Sequence, residues 1–271
     1  NTFVASGLPA GVQTLYAKIT PQGGACSYVV PFTYDVCAPV ATPTGILTWT
    51  GLVDTDWNTA CNWSPASVPT ANNDVVIPNT TNKPIINIAA VAKSVEVQAG
   101  AVLTIAATKS LTINGSRTVA ALDAGFHNAG TVQNNGQLVL GSTSSVVLHG
   151  LINRATFNNN TGGEIKIDNV ADLGLNNTTG ATFTNAAKIA IGATANIGIQ
   201  GILNDGTFNN NAGGEITIDR STQIALFNQN GTFNNAAKLT IGGVESAGRD
   251  GVTNYNVFNN NAGGEIKIVK V

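Results

Sequence analysis

The chain has no methionine, and of its 271 residues only 13 are Lys or Arg and 15 are Asp or Glu, leaving a net charge of -2. No basic cluster stands out, which excludes nucleic-acid or anionic-membrane binding driven by counterion release. No apolar stretch approaches the roughly 18 residues a spanning helix needs, so no transmembrane segment is predicted. The three cysteines, Cys26, Cys37 and Cys61, lack zinc-ligand spacing. Helical periodicity, a nucleophile elbow, a phosphate loop and a metal motif are all missing. Little charge with much Asn and Thr is the composition of extracellular surface proteins rather than cytosolic enzymes, and a secreted, cell-surface location is expected. The start at Asn1 without Met or a signal peptide reads as a processed product or an excised segment.

What the chain does have is a repeat. Phe157, Phe183, Phe208, Phe233 and Phe258 open near-copies of one phrase at intervals of 26, 25, 25 and 25 residues. A fixed period in this range marks a solenoid. Within each copy apolar residues alternate over short runs, as in Glu215-Ile216-Thr217-Ile218, which is the pattern of strands with one buried face. Asn, Gly, Asp and Thr between the runs suit tight turns. About 25 residues suffice for one coil of three short strands, so the predicted fold class is all-β, a parallel β-helix of six to eight coils.

Each aligned column then becomes a file along the rod. The Phe file, begun by Val132, is core. Two positions on stand Asn134, Asn159, Asn185, Asn210, Asn235 and Asn260, whose amides can hydrogen-bond along the axis. The next strand begins with Glu164, Lys188, Glu215, Lys238 and Glu265, alternating in sign from coil to coil. Opposite charges on adjacent strands are favourable and like charges are not, so this file guards the register. Long and short turns alternate with it, making the true unit about 50 residues. Thr131, Thr156, Thr182, Thr207 and Thr232 precede the core file and are expected to point outward.

Three segments are distinguished: 1–44 as a partial, Ig-like β-sandwich piece with a Pro-rich linker, 45–80 as a Trp-rich N-terminal cap, and 81–271 as the β-helix. In an oxidising compartment a Cys26–Cys37 disulfide would staple the first segment, and a Cys37–Cys61 bridge is equally allowed. Trp49, Trp57 and Trp63 are expected to cover the open end of the first coil, with sugar stacking as the alternative. Asp54, Asp56 and Asp74 are candidate Ca²⁺ ligands, although Asp-Thr-Asp-Trp-Asn lacks the Gly and closing Glu of an EF-hand loop. No other cofactor is implied.

In this cap, Trp49-Thr-Gly, Asp56-Trp57-Asn58, Asn62-Trp63, Val68-Pro69 and Asp74-Val-Val-Ile77-Pro78 precede Ala92-Lys-Ser-Val-Glu-Val97 and Leu103-Thr-Ile105. Residues 46 to 115 thereby resemble the β-helical segments of large adhesin-like surface proteins exported by the type IX route in Bacteroidota. The resemblance implies secretion and an adhesive or surface-layer role.

The expected function is a non-catalytic stalk or adhesive shaft of an extracellular protein or filament, with cell-surface glycans or proteins as possible partners. One alternative is a polysaccharide-acting lyase or hydrolase on a β-helix, or a carbohydrate-binding module. However, His127 and His149 stand isolated, Arg154, Arg220 and Arg249 join them in no column, and Asp168 and Asp219 read as solvated repeat positions. A third reading is binding to ice or a crystalline surface through the Thr file. The last coil closes on a strand, so either further coils or neighbouring subunits stacked end to end are expected to cover its edge.

Overall fold

The computed structural model describes residues 11–19, 28–36, 43–142 and 148–271. From Gly45 onward the chain winds as a parallel β-solenoid with three sheets. The only helix among the described residues is a single 3-10 turn, Ala60–Asn62. Each coil visits the sheets in the same order, for example His149–Asn153, Thr156–Asn159 and Glu164–Ile167. These are called the third, the aromatic and the charged sheet. Nine strands of the third sheet, Gly45–Trp49 through Asp250–Asn254, stack in parallel, so the rod has about nine coils where six to eight were expected. The excess lies at the N-terminal end. Gly45–Trp49 pairs in parallel with Asn73–Ile77, and that strand with Ser94–Val97, so the Trp-rich segment supplies the first coils itself besides capping them.

The core files run as the repeat requires. Val132 sits on Phe157 in register, and each Phe on the next. From Phe157 to Phe258 successive ring centroids are 4.9, 4.8, 4.8 and 5.0 Å apart and within 13° of parallel. Strand spacing sets this distance, giving offset stacking without any adjustment of the backbone. Leu103 extends the file below Val132.

Beside it the Asn134 to Asn260 amides form a continuous ladder, buried from Asn134 to Asn235. Each Nδ2 donates to the Oδ1 of the next coil at 2.7–2.9 Å. Each of the first five also reaches a backbone carbonyl where the charged sheet begins, such as Lys188 O from Asn159 at 3.1 Å. A second ladder, not foreseen, joins Asn128, Asn153, Asn177, Asn204, Asn228 and Asn254 at 2.7–2.9 Å. It stands at the opposite end of the aromatic strands, where Nδ2 also binds the carbonyl of the residue opening them, as in Asn177 to Thr207 O at 3.1 Å. The aromatic sheet is thus clamped at both corners by amides that satisfy otherwise unpaired turn carbonyls.

The third corner alternates. After Leu140, Ile167, Ile191, Ile218 and Ile241 come Gly141, Asp168, Gly192, Asp219 and Gly242. Asp168 Oδ1 accepts the Thr194 and Ala195 amides at 2.9 and 3.1 Å. Asp219 Oδ1 accepts those of Val244 and Glu245 at 3.0 and 3.2 Å. Both carboxylates are buried, not solvated as expected, because each holds up the longer loop of the following coil. The next residues, Asn169 and Arg220, adopt φ of 53° and 52° and reach back to Gly141 O and Gly192 O at 2.7 and 3.0 Å. Gly192 itself has φ 68°, and a Cβ there would lie 1.8 Å from Asp219 O, so only glycine fits.

The N-terminal residues form an antiparallel pair, Gly11–Ile19 with Tyr28–Val36, Leu15 facing Phe32. It is a two-stranded sheet. Most of the Pro-rich linker lies outside the described residues.

Candidate functional site

The Trp cluster is the densest group of large side chains near one end of the rod. Trp49 and Trp63 face each other across a short antiparallel pair. Trp63 lies edge-on to both Trp49 and Trp57, with centroids 5.0 and 4.7 Å apart. Its Nε1 donates to Trp57 O at 2.9 Å, and that of Trp49 to Asn82 O at 2.8 Å. All three rings are buried, at most 2% exposed, so they are cap core and offer no platform to a sugar.

The three aspartates do not converge. Asp54 Oδ1 accepts the Asp56 amide and Asn62 Nδ2 at 2.8 and 2.6 Å, and Asp56 Oδ1 accepts the Asn58 amide at 2.8 Å. Asp74 instead pairs with Lys93 and Ser94 at 3.0 and 2.6 Å. Among the described residues no three His, Cys, Asp or Glu gather as metal ligands, so the candidate Ca²⁺ ligands Asp54, Asp56 and Asp74 do not form one ligand group. The Asp54 and Asp56 oxygens are committed to turns, a use that Asp serves readily. Cys61 is disulfide-bonded. The pairing expected at Cys26 and Cys37 lies outside the described residues.

In the charged file Glu164, Lys188, Glu215, Lys238 and Glu265 occupy one register. Yet among the described residues only Glu164 and Lys188 close to an ion pair, at 3.5 Å. Glu164 also accepts Gln137 Nε2 at 2.6 Å and lies 3.1 Å from Lys166. Burial pushes its carboxyl up, but Gln137, Lys166 and the charge of Lys188 outweigh this and hold it below the usual range. The exposed members contribute little each.

His127 and His149 are not isolated. His127, buried in the third sheet, binds Arg117 O through Nε2 at 2.9 Å, and Arg154 Nη1 lies 3.4 Å from its Nδ1. Arg117 belongs to the hairpin strand Arg117–Val119 and forms an ion pair with Glu96. His149 Nδ1 is 3.8 Å from Asp172. Burial chiefly pushes both imidazoles below the ordinary histidine range, against the pull of Glu96 on one and of Asp172 and Asp123 on the other. Sequence columns missed the group because a hairpin outside the repeat brings Arg117 in.

The loops of three successive coils line an open concavity of about 600 Å³ that includes Arg220, Ser221, Glu245 and Arg249. Its charges pair internally, Arg220 with Glu245 at 3.6 Å and Arg249 with Asp250 at 3.1 Å.

The aromatic sheet presents the most regular surface. The Thr131, Thr156, Thr182, Thr207 and Thr232 file is partly exposed while the residues between are buried. A second outward file follows: Gln133, Asn158, Thr184, Asn209, Asn234 and Asn259. Asn234 and Asn259 each donate to the preceding amide oxygen at 2.8 Å.

Residues 48–153 match a family model described as "Domain of unknown function (DUF8693)". The match begins in the Trp49 strand and ends with Asn153, covering the cap and the first coils before the Phe file. No curated protein and no solved structure matches the chain.

Proposed function

We propose that this chain is a non-catalytic shaft of an extracellular protein, a stiff spacer that carries or constitutes an adhesive element on a bacterial surface. The observation that carries the reading is where the buried polar groups go. Both asparagine ladders, Asp168 and Asp219 are consumed in coil-to-coil hydrogen bonds. Such bonds stiffen a rod and put these buried polar groups to structural use.

Two features support an extracellular setting. The disulfide at Cys61 belongs to an oxidising compartment. The Trp-Thr-Gly, Asp-Trp-Asn and Asn-Trp phrase is similar to that of type IX-exported surface proteins, a likeness consistent with display outside the cell.

A spacer is tested by its length. Deleting Gly214–Gly263 joins Gly213 to Gly264, which restores the Gly-Gly-Glu turn, and removes one unit of two coils. The shortened protein is expected to fold and to lose about 10 Å of length, two strand spacings, in small-angle X-ray scattering. Loss of the folded rod, or release of sugar products from polysaccharides by the intact chain, would overturn the reading.

A further inference from the structure

The charges of the rod are not spread evenly over its sides. On the charged sheet, the seven strands from Ser110–Ile113 to Glu265–Ile268 offer two outward positions each, fourteen in all. Seven of them are charged, five in the Glu164 to Glu265 file together with Lys166 and Lys267. The seven aromatic-sheet strands from Val102–Ile105 to Val257–Asn260 offer fourteen outward positions as well, and none is charged. Surfaces that meet only water carry charges of both signs for solubility. Depletion of charge marks surfaces that make contact.

The same face has no aromatic anchor of the kind that dominates protein–protein interfaces. It offers hydroxyls and amides instead, held in place beforehand. Thr is stiff at χ1, and the Asn209, Asn234 and Asn259 amides are linked at 2.8 Å. Each linked amide keeps at least one N–H and spare oxygen lone pairs, so it shows a donor and an acceptor together. Hydroxyl groups have the same double character. A polyanion would find no cation here. A single such hydrogen bond gains little against water, so affinity accumulates only over many coils engaged at once. The coils that carry these files repeat every 4.8–5.0 Å, and only a partner as rigid and repetitive can engage them together.

We infer that the outward face of the aromatic sheet binds the surface of a crystalline, uncharged polysaccharide. The inference rests on the shaft reading and makes one side of that shaft adhesive. The full chain is mixed with microcrystalline cellulose, with chitin powder and, as a charged control, with polygalacturonate gel, and depletion from solution is measured. Retention on cellulose or chitin but not on polygalacturonate is expected, and the double substitution Thr207→Lys and Asn209→Lys reduces the partition coefficient at least tenfold. Thr217→Lys with Thr240→Lys on the charged sheet leaves it unchanged. Circular dichroism and scattering on the same samples establish that each variant keeps the rod, so a failed rod is told apart from failed binding. No retention on either solid, or equal retention by the Thr207/Asn209 variant, overturns the inference. So does thermal hysteresis or concentration-dependent self-association of the intact chain that this variant abolishes without any loss of polysaccharide retention, since ice or a second copy would then own the face.

Discussion

At the scale of single residues the buried amides dominate. Asn185 stands mid-ladder, accepting from Asn159 and donating to Asn210 and Ala187 O. Asn185→Ala strands the Asn159 donor and the Asn210 acceptor, and should cost about 3 kcal/mol in urea unfolding, against well under 1 kcal/mol for the outward Asn158→Ala. The ladder also has an end: below Asn134 the register holds Ile105, and Asn134 Oδ1 has no partner among the described residues. Titration acts through the histidines. His127 and His149 are held below the ordinary range mainly by burial, so near pH 6.5 the unfolded chain binds more protons than the folded one. Their contribution is complete above the unfolded value of about 6.5 and is lost as pH falls through the lower folded value. Glu164 behaves as a lowered carboxyl, and its contribution is lost only at more acid pH, below about 4.3. Thermal melts from pH 8 to pH 4 should therefore show a first decline below about pH 6.5 that His127→Gln flattens.

At the scale of the element, the turns carry the pattern. Asp168 and Asp219 each support the longer loop of the coil that follows, while Asn169 and Arg220 brace the loop before. Removing the carboxylate in Asp219→Ala orphans the Val244 and Glu245 amides. This should cost about 2–3 kcal/mol and speed hydrogen exchange at those two amides, with the Phe208 and Phe233 strands still protected. The same alternation explains the 50-residue unit better than the charged file does. Among the described residues the charges close only once, at Glu164 and Lys188, whereas both buried aspartates are satisfied.

At the scale of the molecule, coils are interchangeable only in pairs. Deleting the two-coil stretch Gly214–Gly263 keeps every file in phase. Deleting the single coil Lys188–Gly214 would set Glu215 on Glu164 and Asp219 on Asp168, with no long loop between to use the carboxylate. The one-coil deletion should therefore melt well below the two-coil deletion despite being shorter, which paired thermal denaturation scans would measure.

The sequence by itself determined the winding, the Phe and Asn134 to Asn260 files, the outward Thr file and the sign alternation. A fixed period converts position in the chain into position in space, so alignment of the copies amounts to inspection of the ladders. It did not reveal the Asn128 to Asn254 ladder, because the turns after those residues vary from two to four residues and blur the column. Burial of Asp168 and Asp219 was hidden for a related reason: their partners are backbone amides of the next coil, which leave no mark on residue type. Tertiary structure alone decided that Asp54 and Asp56 part from Asp74 and that Arg117 meets His127. Each of these depends on an insertion outside the repeat, where no periodicity constrains which side chains meet.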